Sequence, residues 1–400
     1  MRLRHQLAVY SPISFRALAA AAAAPLGWGS DPLDALASLL RREYAADDVL
    51  LCGSGTQALQ LAIHAARAEA SGKFGQDAIV ALPAFSCFDV ASAAIGAGGP
   101  VALYDLDPVS LSPDLASVER VLEAGARIVV VAPLYGIPVD WEAIEGVASA
   151  HGARLIEDAA QGHGATYREK PLGALGEIST LSFGRGKGWT GGSGGAVLVR
   201  RLHGLVWPPL EPPPRFDLGT VLRLDAQFAL GRPALYGLPR SLPALDLGET
   251  VYHPPRRPTG LSRAAAGAVL ATRSESLREA DHRRGTGAWL RAQVQDNRAL
   301  RGIAVGAAGS PGFLRFPVLA QRGFAGFADQ TAALRCGIAP SYPRRLSDLP
   351  ELAPLLVNSD SHFPGASRLV DQLITLPAHS LLSAADRVIL SRLIREYGTG

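Results

Sequence analysis

The chain is poor in lysine. Only Lys73, Lys170 and Lys187 occur among 39 basic residues, and all the others are arginine. Arginine cannot replace lysine in imine chemistry, because its guanidinium stays protonated. A position that remains lysine in this background is therefore a candidate for a required amine. Cysteine is also scarce. Cys52, Cys87 and Cys336 are odd in number and widely spaced, which argues against a disulfide framework and for reduced thiols. No Cys-x-x-Cys or paired-histidine spacing suggests a metal site. No run of about 18 uncharged apolar residues is present, so no membrane-spanning helix is expected. Arg2 and Arg4 precede an alanine-rich stretch, but Arg16 interrupts it, and residues 17–25 alone are short for a signal segment. A cytoplasmic location is the expectation. The net charge of +3 comes without a basic run, which excludes nucleic acid as an evident partner.

What the chain has in quantity is apolar residues. They make up 48% of 400 residues, with a mean hydropathy of +0.14, enough for a large core. That length predicts a larger and a smaller domain. Between residues 49 and 200, short apolar runs alternate with amphipathic stretches. The runs are Val49–Cys52, Ala78–Leu82, Val101–Leu103, Ile128–Ala132, Arg154–Ile156, Ile178–Phe183 and Gly195–Val199. The stretches are Thr56–Ala70, Asp89–Ala97, Pro113–Glu123 and Trp141–Ala150. This alternation predicts an α/β fold with a mostly parallel sheet flanked by helices, whose ligands sit at the carboxyl ends of the strands. Residues 201–260 are proline-rich and read as an irregular insertion, with one helix near Thr220–Ala229. Residues 261–300 read as a long helix. Residues 313–398 read as a small α+β domain, with a strand at Leu314–Leu319, a helix at Phe324–Cys336 and a helix at Ala384–Tyr397 capped by Ser383. The domain boundaries are accordingly 1–260 and 261–400.

Three motifs fall at predicted strand ends. Gly53-Ser54-Gly55-Thr56-Gln57-Ala58 is a glycine turn entering a helix, suited to a phosphate because free amides and the positive dipole end meet there. It also matches a dinucleotide fingerprint, but the next strand ends in Pro83-Ala84-Phe85 rather than in an acid for the ribose. Leu155-Ile156-Glu157-Asp158 runs an apolar strand into two carboxylates, one of which could hold a protonated ring nitrogen or simply cap a helix. Ser182–Gly195 places Lys187 amid seven glycines. Leu181 and Gly188 exclude a Walker A loop. A lysine held in this way can form an imine with a carbonyl cofactor, or can be a solvated loop residue. The order matters more than any one motif: a phosphate turn, an acid about 100 residues later, and a lysine 29 residues beyond it.

With these motifs the chain resembles the DegT/StrS family of sugar aminotransferases, which depend on pyridoxal 5′-phosphate (PLP) and have the fold type I architecture. The resemblance is carried by GSGTQAL (53–59), PAFS (83–86), LYDLDP (103–108), LYGIPVD (134–140), LIEDAAQGHGA (155–165), the run 172–198, GIAPSYP (337–343) and LPAHS (376–380). It implies that Lys187 carries PLP as a Schiff base and moves the proton, and that Asp158 pairs with the ring nitrogen. It also implies that Gln161 lies near the ring oxygen and that Gly55, Thr56 and Ser182 bind the phosphate. The aromatic expected against the ring falls on Cys87, with Phe88 next in line to take its place. Other family positions also differ: Pro133 precedes LYG where a histidine is usual, Leu261-Ser262-Arg263 replaces Asn-Tyr-Arg, and no histidine follows Tyr342-Pro343. Arg185, His163 and Tyr342 are candidate substrate contacts. The implied activity is transfer of an amino group, with glutamate as donor, to a nucleotide-linked keto sugar, in a homodimer with shared sites. The alternatives are a PLP enzyme for a non-sugar ketone and a non-catalytic PLP-binding regulator. A nicotinamide dehydrogenase rests on the glycine turn alone.

Overall fold

The computed structural model describes residues 4–27, 30–74, 77–202, 204–237 and 250–399. The apolar runs form strands β1 (Asp48–Cys52), β2 (Ile79–Pro83), β3 (Val101–Tyr104), β4 (Ala126–Val131) and β5 (Arg154–Asp158). After them come the two-residue pieces β6 (Thr166–Tyr167) and β7 (Lys170–Pro171), then β8 (Ile178–Ser182) and β9 (Gly195–Val199). Seven of these make one sheet in the order β1-β9-β8-β5-β4-β2-β3. Pairing is parallel from β8 through β5, β4 and β2 to β3. Only β9 is reversed, pairing antiparallel with β1 and β8. The mostly parallel sheet is thus observed, with its one reversal just after the glycine-rich loop that follows β8.

Helices cover both faces, as strands apolar on both sides require. They are α1 (Phe15–Ala23), α2 (Pro32–Tyr44), α3 (Gly55–Phe74), α4 (Phe88–Ala97), α5 (Leu115–Glu123) and α6 (Trp141–Ala150). One buried cluster joins α3 and α4 to the sheet, and a second lies on the other face with α2, α5 and α6. Asp114 and Asp140 start α5 and α6 by accepting from Ser117 N and Ala143 N, which satisfies amides that a helix start leaves open.

The long helix spans Arg263–Gln295 and is capped by Ser262, whose hydroxyl accepts from Ala265 N at 3.2 Å. Beyond it, a second sheet is built from β10 (Leu300–Gly302), β12 (Phe316–Ala320), β13 (Ala339–Pro340) and β14 (Leu373–Leu376), in the order β10-β12-β14-β13. The piece between them, β11 (Gly309–Ser310), pairs with β6. The last helix, Ala384–Arg395, has the Ser383 cap and a reciprocal Asp386 side chain. The expected helix Phe324–Cys336 is instead a short 3-10 turn at Gly323–Gly326 followed by a helix at Gln330–Arg335. Gly323 takes a left-handed φ of +54°, and Asp329 opens a new helix by accepting from Ala332 N. In the insertion, one helix spans Leu218–Leu230. Residues 238–249 of the insertion lie outside the described residues.

Candidate active site

The carboxyl ends of β1, β2, β4, β5 and β8 converge on one cleft. Its wall includes Gly55, Thr56, Cys87, Asp158, Gln161, Ser182 and Lys187. These residues arrive from four separate turns, after β1, β2, β5 and β8, each short because a strand must hand over at once to a helix or loop.

At the end of β1, the Ser54 hydroxyl accepts from Gln57 N at 3.2 Å. The amides of Gly55 and Thr56 sit in the first turn of α3, where no intrahelical acceptor exists. Ser182 packs directly on Gly55: a Cβ added at Gly55 would lie 2.5 Å from the Ser182 Cβ and Oγ. Only glycine lets β8 and the start of α3 approach this closely.

At the end of β5, the two carboxylates divide their work, because adjacent strand residues point to opposite faces. Glu157 is fully buried and accepts from Gly173 N (2.6 Å), Leu175 N (3.0 Å), Gly176 N (3.2 Å) and Ser179 Oγ (2.9 Å). It is a structural anchor. Asp158 faces the cleft, and its Oδ1 accepts from Thr180 Oγ1 at 3.1 Å and Ala160 N at 3.2 Å. Burial pushes the Asp158 pKa up, and the nearby Lys187 charge opposes that rise.

Lys187 lies in the loop between β8 and β9, and three pins hold that loop. Trp189 Nε1 donates to Val269 O at 2.8 Å, Thr272 Oγ1 donates to Thr190 O at 2.7 Å, and Ser11 Oγ donates to the Lys187 carbonyl at 2.6 Å. Gly191 lets the loop touch the long helix, since an added Cβ would meet Val269 Cγ2 at 2.4 Å. Lys73 and Lys170 are exposed and outside the cleft.

Gln161 closes one side. Its Oε1 accepts from Tyr135 N and its Nε2 donates to the Tyr342 hydroxyl, both at 2.9 Å. The amide orientation follows from chemistry, because the Tyr135 N–H needs an acceptor. Tyr135 stacks on Tyr342 with ring centroids 6.0 Å apart, and its hydroxyl bonds that of Ser341.

The residues fit PLP. The open amides of α3 and the Ser182 hydroxyl suit a phosphate. Among the described residues, the buried Ser86 Oγ beside the cleft has no hydrogen-bond partner, as expected for a group awaiting a polar ligand. Both hydrogen bonds to Asp158 use Oδ1, so Oδ2 is left for a ring nitrogen.

Comparison with known proteins agrees with this geometry. Residues 33–201 match the DegT/DnrJ/EryC1/StrS aminotransferase family. Over that stretch the chain is similar to that family. The L-glutamine:2-deoxy-scyllo-inosose aminotransferase of Streptoalloteichus tenebrarius is 36% identical over 188 residues, which is 43% of this chain and 43% of that protein. A pleiotropic regulatory protein of Geobacillus stearothermophilus is 37% identical over 132 residues, covering 33% of this chain and 34% of its own. The match thus spans less than half the length of these curated relatives. The sugar aminotransferase CalS13 from Micromonospora echinospora has a TM-score of 0.74 at 21% identity over 100% of both chains, which shows a shared fold along the whole length.

Against this family pattern, Gly55, Thr56, Asp158, Gln161, Ser182 and Lys187 all line the cleft. Phe88 does not. It is the first residue of α4 and turns into the core, where the Arg344 guanidinium lies 5.6 Å from its ring centre. The cleft wall at that point is Cys87, whose thiol pKa burial pushes up to about 12. Tyr342 lies outside the cleft lining and touches it only by accepting from Gln161 Nε2. Arg185 is exposed and lies outside the cleft lining. His163 sits behind the lysine loop with its ring centre 5.8 Å from that of Trp189, and burial and the Arg283 and Arg273 charges push its pKa down to about 3.

Sequence reasoning missed Ser86, Asp89 and Ser11. Asp89 lines the cleft from the first turn of α4, where an acid reads as an ordinary helix-dipole partner. Ser11 is 176 positions from Lys187, and no local signal foretells that contact.

Proposed function

We propose that this protein is a PLP-dependent aminotransferase acting on a keto sugar or a closely related ring ketone. The observation that carries the reading is Lys187 and Asp158 facing one cleft beside the open N-terminus of α3. Bound PLP supplies an electron sink conjugated to the carbon that gains or loses the amine.

The chain's own groups divide the remaining work. The amides of Gly55 and Thr56 and the hydroxyl of Ser182 hold the phosphate. Asp158, fixed by Thr180 and Ala160, keeps a positive charge on the ring nitrogen. Lys187 Nζ holds the cofactor through its amine and, when free, moves the proton at the reacting carbon. Gln161, held by the Tyr342 hydroxyl, walls the side where the ketone enters. The three loop pins limit the freedom of Lys187, which keeps its amine aligned.

The inosose aminotransferase relative supports a ring ketone as acceptor, and its name gives L-glutamine as donor. The family resemblance supports glutamate as donor, a nucleotide-linked acceptor, a homodimer and a cytoplasmic location.

The test is the visible spectrum of the PLP-loaded protein before and after an amino donor is added. The expected result is a band near roughly 410–430 nm that disappears with glutamate or glutamine. A band unmoved by every donor would favour the regulatory reading, the function named for the Geobacillus relative. No band at all would remove the PLP assignment.

A further inference from the structure

The segment before α1 is irregular, yet it is tied down at both ends. Residues 4–14 form no helix or strand, and a chain end of that kind is ordered only where other elements hold it. The elements around the second sheet hold one end. Gln6, 1% exposed, donates from its backbone N to Arg335 O at 2.8 Å and from its side-chain Nε2 to Asp386 Oδ2 at 2.7 Å and Leu381 O at 3.3 Å. His379 Nε2 lies 2.9 Å from Leu7 O. Gly337, at φ +82°, admits that carbonyl, since an added Cβ would lie 2.7 Å from it. At the other end, Ser11 Oγ donates to the Lys187 carbonyl at 2.6 Å. The loop that receives this bond has little stiffness of its own. Lys187 stands between Gly186 and Gly188, and a Cβ added at Gly186 would touch nothing within 4 Å, so packing does not fix that side. The pins at Trp189 and Thr190 act beyond Lys187, on its carboxyl side.

Resting on the aminotransferase reading, we infer that Gln6 is a positioning residue for Lys187: it clamps the N-terminal segment to the elements around the second sheet, and the segment sets Lys187 through Ser11. Glycine neighbours leave a loop many backbone conformations. Each outside constraint removes those in which the amine points away from the reacting carbon. Neither Gln6 nor Ser11 lines the cleft. The Gln161–Tyr342 bond joins the two sheets at the cleft, whereas the N-terminal segment joins the second sheet's surroundings to the lysine loop by a path outside it.

The test is amide hydrogen exchange of the peptide spanning residues 184–190, in the full-length PLP-loaded protein with no donor present. Gln6→Leu keeps a side chain of similar size and removes both side-chain hydrogen bonds, while Asp386 keeps its two donors from Ser383. Exchange at 184–190 should rise at least about fivefold in Gln6→Leu and in Ser11→Ala, with β4 exchanging as in the wild type. The double variant should exchange no faster than Ser11→Ala alone, because both changes cut one connection. Wild-type exchange at 184–190 in Gln6→Leu, effects that multiply in the double variant, or equal loosening of β4 would overturn the inference. If Gln6→Leu does not fold, Arg4→Ala decides, since it cuts the half-exposed ion pair from the same segment to Asp386: faster exchange at 184–190 supports the clamp, and wild-type exchange overturns it. Exchange is read without turnover, so a protein inert to every donor would sink the aminotransferase reading and leave the Gln6–Ser11 connection measured.

Discussion

The side-chain amide of Gln161 donates to the Tyr342 hydroxyl at 2.9 Å, joining the turn after β5 to the segment just beyond β13. The contact joins the cleft edge of the large sheet to the small sheet. Backbone bonds reinforce it nearby, from Leu314 N to Tyr135 O and from Leu346 N to Ala84 O. The Tyr342 pKa is raised well above its usual value, first by burial and then by Tyr135, so the hydroxyl stays protonated.

Tyr342→Phe removes that hydroxyl and leaves the Gln161 amide without its acceptor. A stability loss of about 1–3 kcal/mol is expected, read as a lower urea midpoint with an unchanged slope. Under the proposed function, Gln161 walls the ketone's side of the cleft, so acceptor KM should rise more than the donor half-reaction slows.

Lys187→Ala should abolish the visible band of bound PLP while leaving the far-ultraviolet circular dichroism unchanged. Asp158→Asn should keep PLP bound but cut turnover by orders of magnitude, since the charge that holds the ring nitrogen protonated is gone. A Lys187→Ala protein that keeps the band would mean another amine holds the cofactor. An Asp158→Asn enzyme with full turnover would place the ring nitrogen elsewhere.

Gly55→Ala tests the phosphate cradle. The new Cβ would lie 2.5 Å from Ser182, so the start of α3 must move away from β8. PLP affinity should fall by at least about tenfold, the equivalent of about 1.4 kcal/mol, measured by fluorescence titration. Equal affinity in the variant would mean the phosphate does not use this turn.

The cleft-lining positions Gly55, Thr56, Asp158, Gln161, Ser182 and Lys187 were legible because each lies in a contiguous turn at a strand end, where sequence neighbours are spatial neighbours. The Phe88 expectation failed for a reason of helix phase. α4 starts at Phe88 and directs that ring into the core, which leaves Cys87 at the cleft. Arg185 looked functional because it sits two residues before Lys187, but the loop turns it outward. Ser11 reaches the lysine loop from a distant segment, and tertiary contacts of that kind leave no local pattern. The broken helix at 323–336 was a matter of glycine: Gly323 and Gly326 bound the 3-10 turn, while the apolar spacing continues through it.

Glu157→Gln should destabilise the fold without touching the chemistry. All four of its hydrogen bonds come from donors, one to Oε1 and three to Oε2. An amide places an NH2 group against at least one of them and leaves a buried N–H or O–H unanswered. A loss of about 2–4 kcal/mol is expected, with kcat in the surviving folded protein little changed. An equally stable variant would show that the carboxylate can be replaced by its isostere.

Acid stability should depend on two buried histidines. His163 is pushed down to about 3 and His379 to about 4, both chiefly by burial. Unfolded histidine titrates near 6.5, so between that value and about 4 the unfolded chain binds protons that the folded chain refuses. Stability must then fall as pH drops through this window, by up to about 1.4 kcal/mol per pH unit for each histidine. Below the folded values the contribution levels off. His379 Nε2 lies 2.9 Å from Leu7 O, which fixes that nitrogen as the N–H donor. His379→Gln can keep a donor there while removing the titration. Its unfolding free energy should decline less steeply than the wild type's between pH 6.5 and 4, measured in urea at each pH. Parallel slopes in the two proteins would mean that His379 is not held neutral in the fold.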